Sequence, residues 1–220
     1  MFKNIKLVIF DLDGTLVDAY PAIVDSFNFT MRQLKLPLQD PETICRAVGW
    51  GDGNLLKPYL NGSDVLKALR IYRKHHQRAL ILKTRFLPGA KKILEFLKGH
   101  GVKLAVASNR PTKFSYIIID HLKIRDYFDY VLCADKLKRA KPYPDILWKI
   151  LNRLSVAKKE ALYVGDMTVD VVTGRRAGIR TVAVLTGSST KEEIIKSRPY
   201  RIMERMSLLN KLLRKEGKNG

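Results

Sequence analysis

Only two of the 220 residues are cysteine. Cys45 and Cys133 lie far apart and form no CxxC, which excludes a disulfide framework and a thiolate zinc site. Both read as small buried apolar residues. Long apolar runs are missing too: nothing approaches the roughly 18 to 20 uninterrupted residues that a membrane span requires. The chain passes from Met1 through Lys3 and Lys6 into a short apolar stretch with no small-residue cleavage site, so a cytosolic protein with no membrane partner is expected. There is no internal repeat and no low-complexity tract. Only residues 215–220, short, polar and glycine-ended, read as a disordered tail.

Acidic residues are scarce. Against 41 Lys and Arg stand 21 Asp and Glu, a net charge of +20, well beyond the magnitude of about 2 to 8 usual in a small soluble domain. Such a field attracts anions. The basic residues are dispersed along the whole chain, however, and no helix-turn-helix, RRM or zinc-finger pattern accompanies them. A solvated lysine-rich surface that helps to draw in a small phosphorylated substrate fits better than a specific nucleic-acid partner.

What is present is ordinary globular material, with 46% hydrophobic and 28% charged residues. At about 150 residues per domain, this length suits one domain carrying a smaller insert. Residues 6–10 are a compact apolar run, too short for a helix, that ends in a polar turn: a buried strand feeding a loop. Similar runs recur at 102–107, 130–132, 161–164 and 181–185, separated by helical stretches at 90–98, 144–154 and 168–177. Continuous apolar strands alternating with helices predict an α/β fold, a Rossmann-like parallel sheet covered on both faces. Gly99, Gly101 and Gly178 fall where helices must stop. Residues 19–83 break the alternation. They contain no strand-like run, Ile23, Phe27, Met31 and Leu34 recur at helical spacing, and 64–82 reads as a second long helix. The expected organisation is a core of residues 1–18 and 84–220 with an all-helical unit, 19–83, inserted after the first strand.

Four short motifs fall at predicted strand ends, where open parallel sheets hold ligands. Asp11-Leu12-Asp13-Gly14-Thr15 brings two carboxylates into one pocket, tolerable only with a cation or a proton between them. An Asp-rich turn is the plainer reading of that motif alone. Ser108-Asn109 offers a hydroxyl and an amide to phosphate oxygens, although Ser-Asn before Arg110-Pro111 is also a plain helix start. Lys141, fixed by Pro142, could supply an ammonium group to such a pocket. Asp166 closes a strand and Asp170 lies in the first turn of the next helix; helix capping accounts for either one alone, but not for acids recurring at strand ends.

In order and placement these motifs resemble those of the haloacid dehalogenase-like hydrolase superfamily, with the helical insert at the position of its cap. Within it the chain is similar to the phosphoglycolate phosphatase group, through Asp18, Pro21, Val48-Gly49-Trp50-Gly51 and Gly187-Ser188-Ser189-Thr190. Many relatives carry Thr-Asn-Lys where this chain has Ser108-Asn109-Arg110. The resemblance implies a phosphatase of small phosphate monoesters that works through an aspartyl-phosphate. Asp11 would be the nucleophile and Asp13 the acid and base. Ser108, Asn109 and Lys141 would hold the phosphoryl oxygens, with Lys141 also offsetting Asp11. Mg²⁺ would be bound by Asp11, the Asp13 carbonyl and Asp166, with Asp170 behind them. Asp13 argues against the metal-free dehalogenases, which lack the second aspartate. A phosphonate hydrolase would use a lysine such as Lys57. A sugar-phosphate mutase or pyrophosphatase would keep all four motifs, and the rival from another class is a non-catalytic polyanion binder.

Outside the motifs, His75 and His76 read as a solvated helix face, Trp148 and Tyr143 as packing on a core helix, and Phe27 and Met31 as the interior of the insert. In the loop 48–53, three glycines leave Trp50 and Asp52 as the side chains expected to contact the leaving group.

Overall fold

The computed structural model describes residues 5–216. The chain opens with β1 (Leu7–Phe10) and β2 (Val17–Asp18), runs through α1 (Tyr20–Gln33), α2 (Pro41–Arg46), α3 (Asp52–Leu56) and α4 (Val65–Lys83), and returns through β3 (Arg85–Phe86). Helices and strands then alternate: α5 (Ala90–Gly99), β4 (Lys103–Ser108), α6 (Thr112–His121), β5 (Tyr130–Cys133), α7 (Asp145–Leu154), β6 (Ala161–Gly165), α8 (Thr168–Ala177), β7 (Arg180–Val184), α9 (Lys191–Ser197), β8 (Arg201–Met203) and α10 (Leu209–Glu216). The predicted α/β class holds. None of the described helices is long and apolar enough to cross a membrane.

Six strands form one parallel sheet in the order β5-β4-β1-β6-β7-β8. β1 sits between β4 and β6, with Phe10 opposite Val106 and Val164. Its four side chains alternate between two cores. Val8 and Phe10 pack with Leu94 of α5 and Phe114 of α6, while Leu7 and Ile9 pack with Ile146 and Ile150 of α7. Covering both faces is what makes the strand apolar throughout, and each such side chain contributes about 1.5–3 kcal/mol by leaving water. The ends of β1, β4 and β6 are thereby held level on a rigid base.

The helices from α1 to α4 enclose an apolar cluster of their own around Ile23, Phe27, Met31, Ile44, Leu56 and Tyr72. The helical spacing of Ile23, Phe27 and Met31 puts them on one buried stripe. Asp40 starts α2 by accepting from the Thr43 amide. Where the chain leaves and re-enters the sheet-bearing part, β2 and β3 pair antiparallel, with Asp18 opposite Arg85.

Several elements have no strong pattern in the sequence. β8 is an edge strand whose first two residues are exposed, so it lacks an apolar run; β2 and β3 have two residues each. Trp148 is not packed as expected: it and Tyr143 are each almost half exposed. Tyr143 precedes α7 and lies against the guanidinium groups of Arg139 and Arg176, at 4.8 and 5.6 Å. Of the expected disordered tail, residues 217–220 lie outside the described residues, and 215–216 end α10.

Candidate active site

Asp11, Ser108 and Asp166 stand at the carboxyl ends of the adjacent strands β1, β4 and β6. Asp11 continues its ladder, its amide donating to the Val164 carbonyl at 2.9 Å. One carboxylate oxygen accepts from the Leu12 amide at 2.8 Å, and the other meets Lys141 Nζ at 3.0 Å. Lys141 also reaches Asp170 Oδ1 at 2.7 Å, Tyr163 Oη at 3.1 Å and the Ala107 carbonyl at 3.2 Å. It is buried, and an unpaired ammonium could not persist there. Burial alone would lower its pKa, but Asp11 and Asp170 outweigh it and hold the group above the ordinary lysine range.

The acids outnumber that one cation. Asp11, Asp166 and Asp170 each bring a carboxylate oxygen within 4.8 Å of the others, and all three are buried. Burial, reinforced by Asp170 and Asp13 against the pull of Lys141, raises Asp11 to about 7. Burial, with Asp170 and Asp11, also pushes Asp166 well above the carboxylate range, although Thr15 donates to it at 2.6 Å. A pocket of hard oxygen donors with this excess of negative charge fits a divalent cation such as Mg²⁺. Asp170 has less to offer directly: Oδ1 is shared by Lys141 and Tyr163, and Oδ2 accepts the Met167 amide. It suits a supporting role. A side chain at Gly14, where φ is +73°, or at Gly187 would collide with the Asp166 carboxylate.

Asp13 faces the other way. Arg110 grips it with two parallel bonds, Nε to Oδ2 at 2.7 Å and Nη2 to Oδ1 at 2.8 Å. Ser108 is buried, and its hydroxyl accepts the Arg110 amide at 3.1 Å. The Asn109 side chain, expected beside the phosphate, is held by backbone groups. Its Nδ2 donates to the carbonyls of Gly49 at 2.8 Å and Lys141 at 3.1 Å, and its Oδ1 accepts the Lys141 amide at 3.0 Å. The side chain thus ties the loop bearing Lys141 to the loop 48–53.

Above these groups lies a cavity of about 60 Å³, with Asp11, Asp13, Ser108 and Arg110 on one side and Gly49, Asp52, Tyr72 and His76 of the helical segment on the other. Trp50 does not line it and is almost half exposed, contrary to the contact expected of it; Asp52 does, braced by Arg73 at 2.7 Å. His76 overturns the expectation of a solvated face most clearly. It is fully buried, with Nε2 2.7 Å from Arg110 Nη1 and Nδ1 2.9 Å from Ser26 Oγ. Sequence reasoning missed both His76 and Arg110. The visible signal was the arginine directly after Ser108-Asn109.

The chain matches the family described as haloacid dehalogenase-like hydrolase over residues 8–184. It is 34% identical over 182 residues to a phosphoglycolate phosphatase of Aquifex aeolicus, covering 83% of this chain and 85% of the relative. It is 31% identical over 207 residues to the probable phosphatase IndB of Dickeya dadantii, covering 91% and 90%. A crystal structure of a predicted phosphoglycolate phosphatase from Haemophilus somnus superposes with a TM-score of 0.91 at 27% identity, over 94% of this chain and 97% of that one.

Proposed function

The chain belongs to the haloacid dehalogenase-like hydrolase family, and we propose that it is a Mg²⁺-dependent phosphatase of a small phosphate monoester, with phosphoglycolate as the first candidate. The observation that carries this reading is Lys141 Nζ wedged between Asp11 and Asp170, beside a third buried carboxylate. A pocket built this way spends its only ammonium on holding a nucleophile and leaves the remaining charge for a cation. The substrate class comes from the relatives, among them the Aquifex aeolicus phosphoglycolate phosphatase.

In this reading an oxygen of Asp11 attacks phosphorus, the P–O bond to the alcohol breaks, and Asp13 gives the departing oxygen its proton. Asp13 then takes a proton from water as that water attacks the aspartyl-phosphate, releasing inorganic phosphate and restoring Asp11. Lys141 offsets charge on the Asp11 side, and the Ser108 hydroxyl, which accepts the Arg110 amide, donates its own proton to a phosphoryl oxygen. Asn109 works indirectly by fixing the backbone of Lys141. Asp11, the Asp13 carbonyl and Asp166 would hold Mg²⁺, which would supply charge neutralisation for the transferring group. Residues 19–83 serve as the cap over the leaving group. The first test is hydrolysis of para-nitrophenyl phosphate with and without chelator, alongside Asp11→Asn. Metal-dependent turnover lost in the variant is expected, and turnover retained by Asp11→Asn overturns the assignment.

A further inference from the structure

Arg110 is held from both ends. Its fork binds both oxygens of Asp13, and its remaining terminal nitrogen lies 2.7 Å from Nε2 of His76 on α4. A guanidinium can only donate, so Nε2 must accept, and the imidazole proton sits on Nδ1, facing Ser26 Oγ at 2.9 Å. Ser26 in turn donates to the Ala22 carbonyl at 2.8 Å. Burial and the Arg110 charge hold the His76 pKa at about 2, so the ring stays neutral and keeps that acceptor. Tyr72 stacks on the ring at 4.7 Å and Phe114 meets it edge-on at 5.2 Å, which leaves it little freedom to turn. A continuous line of bonds thus runs from α1 and α4 of the helical segment to a carboxylate at the end of β1.

We infer that His76 is a positioning residue for Asp13: it fixes the Arg110 guanidinium from the cap side, so that docking of the cap sets how well Asp13 exchanges a proton with the leaving group. The inference rests on Asp13 being the acid and base. Arg110 occupies one lone pair on each Asp13 oxygen and leaves the others free for proton transfer. Without the His76 acceptor, a buried guanidinium N–H loses its partner and the fork can turn toward the cavity, carrying the carboxylate with it.

The test uses leaving groups of different need. An alkyl phosphate such as 2-phosphoglycolate must have its departing oxygen protonated; para-nitrophenyl phosphate releases a stable anion. kcat/KM covers the steps up to departure of the alcohol and excludes the shared hydrolysis of the intermediate. For His76→Phe we expect kcat/KM on the alkyl ester to fall about 10–100-fold and on para-nitrophenyl phosphate less than about threefold, a fraction of the full general-acid effect. His76→Gln, which keeps an acceptor, should recover most of the loss. Equal losses on both esters, or none on either, overturn the coupling. If His76→Phe does not melt cooperatively, Arg110→Lys, which keeps the charge but loses the fork, must show the same split. Asp11→Asn run in parallel keeps the two ideas apart. Its persistent activity sinks the mechanism as a whole, whereas a dead Asp11→Asn beside an unsplit His76→Phe sinks only the positioning role.

Discussion

Asp11 and Asp13 are two residues apart in one turn, yet their basic partners are anchored differently. Asp11 is answered by Lys141 and surrounded by Asp166, Asp170 and Tyr163, carried by the sheet, the loops at its edge and the first turn of α8. Asp13 is answered by Arg110, which the helical segment holds through His76. The floor is built mainly by the sheet-bearing part, while the helical segment, its roof, reaches it through His76 to Arg110, through Tyr20 Oη to Asp166 at 3.4 Å and through the Gly49 carbonyl to Asn109. In the proposed mechanism, chemistry common to every phosphate ester falls to the floor, and whatever depends on the alcohol, its protonation and its shape, falls to the roof.

Substitutions on each side test this contrast. Asp11→Asn should lower turnover on every ester by about 10³-fold or more, since residues that act as a unit lose nearly all activity together. Thermal melting should remain cooperative, and unequal losses across substrates would erase the distinction between floor and roof. Lys141→Ala should inactivate the enzyme and also destabilise it, by about 3–5 kcal/mol, because a buried carboxylate loses its counter-charge. Urea unfolding measures this, and an unchanged midpoint would show that the floor does not need its ammonium. Asp166→Ala should raise the Mg²⁺ concentration needed for half-maximal activity or abolish activity, since a carboxylate ligand is lost; an unchanged metal titration would remove Asp166 from the metal's ligands.

On the roof the effects shrink. Asp52→Asn should shift KM and the ranking of esters several-fold with little change in kcat, as loss of uniform binding does. Trp50→Ala should do neither, because Trp50 points to solvent. The smallest effect concerns the Arg46 to Glu193 pair, at 2.6 and 2.9 Å, which joins α2 to α9. Hydrogen bonds from Arg46 and the Thr190 amide hold Glu193 down at about 2. A carboxylate lowered in the folded state stabilises it above the unfolded value, and that stabilisation drains away as pH falls toward 2. The Tm difference between wild type and Arg46→Ala should therefore be small, screened by salt, and vanish at low pH.

The floor was legible because two of its acids end apolar runs: Phe10 before Asp11, Val164 and Gly165 before Asp166. A strand buried on both faces announces both itself and its ligand-bearing end. The roof was not, for a different reason. His76 sits in the run Arg73-Lys74-His75-His76, whose local composition says solvent, and only the docking of α4 against α6 buries it beneath Phe114. Asn109 also ties two backbone carbonyls of neighbouring loops through its amide, a task its motif does not announce. Trp50 looked like a selector because glycines flank it, but Gly51 at φ +86° turns the chain so that Asp52 faces the cavity instead. The first two depend on distant chain segments meeting, which no local pattern encodes.

The short β2 and β3 pair bears on how this chain finds its fold. Leu7 of β1 must align with Lys103 of β4, and everything between them is a loop that has to be closed. Closing so long a loop as free chain costs entropy before any sheet contact repays it. With Val17 already opposite Phe86, the whole helical excursion begins and ends at one place. The helices between them pack around an apolar interior of their own, so the excursion needs little from the sheet. The sheet then sees two strand-bearing ends already brought side by side, so the insertion that interrupts the fold in sequence shortens the search for it in space.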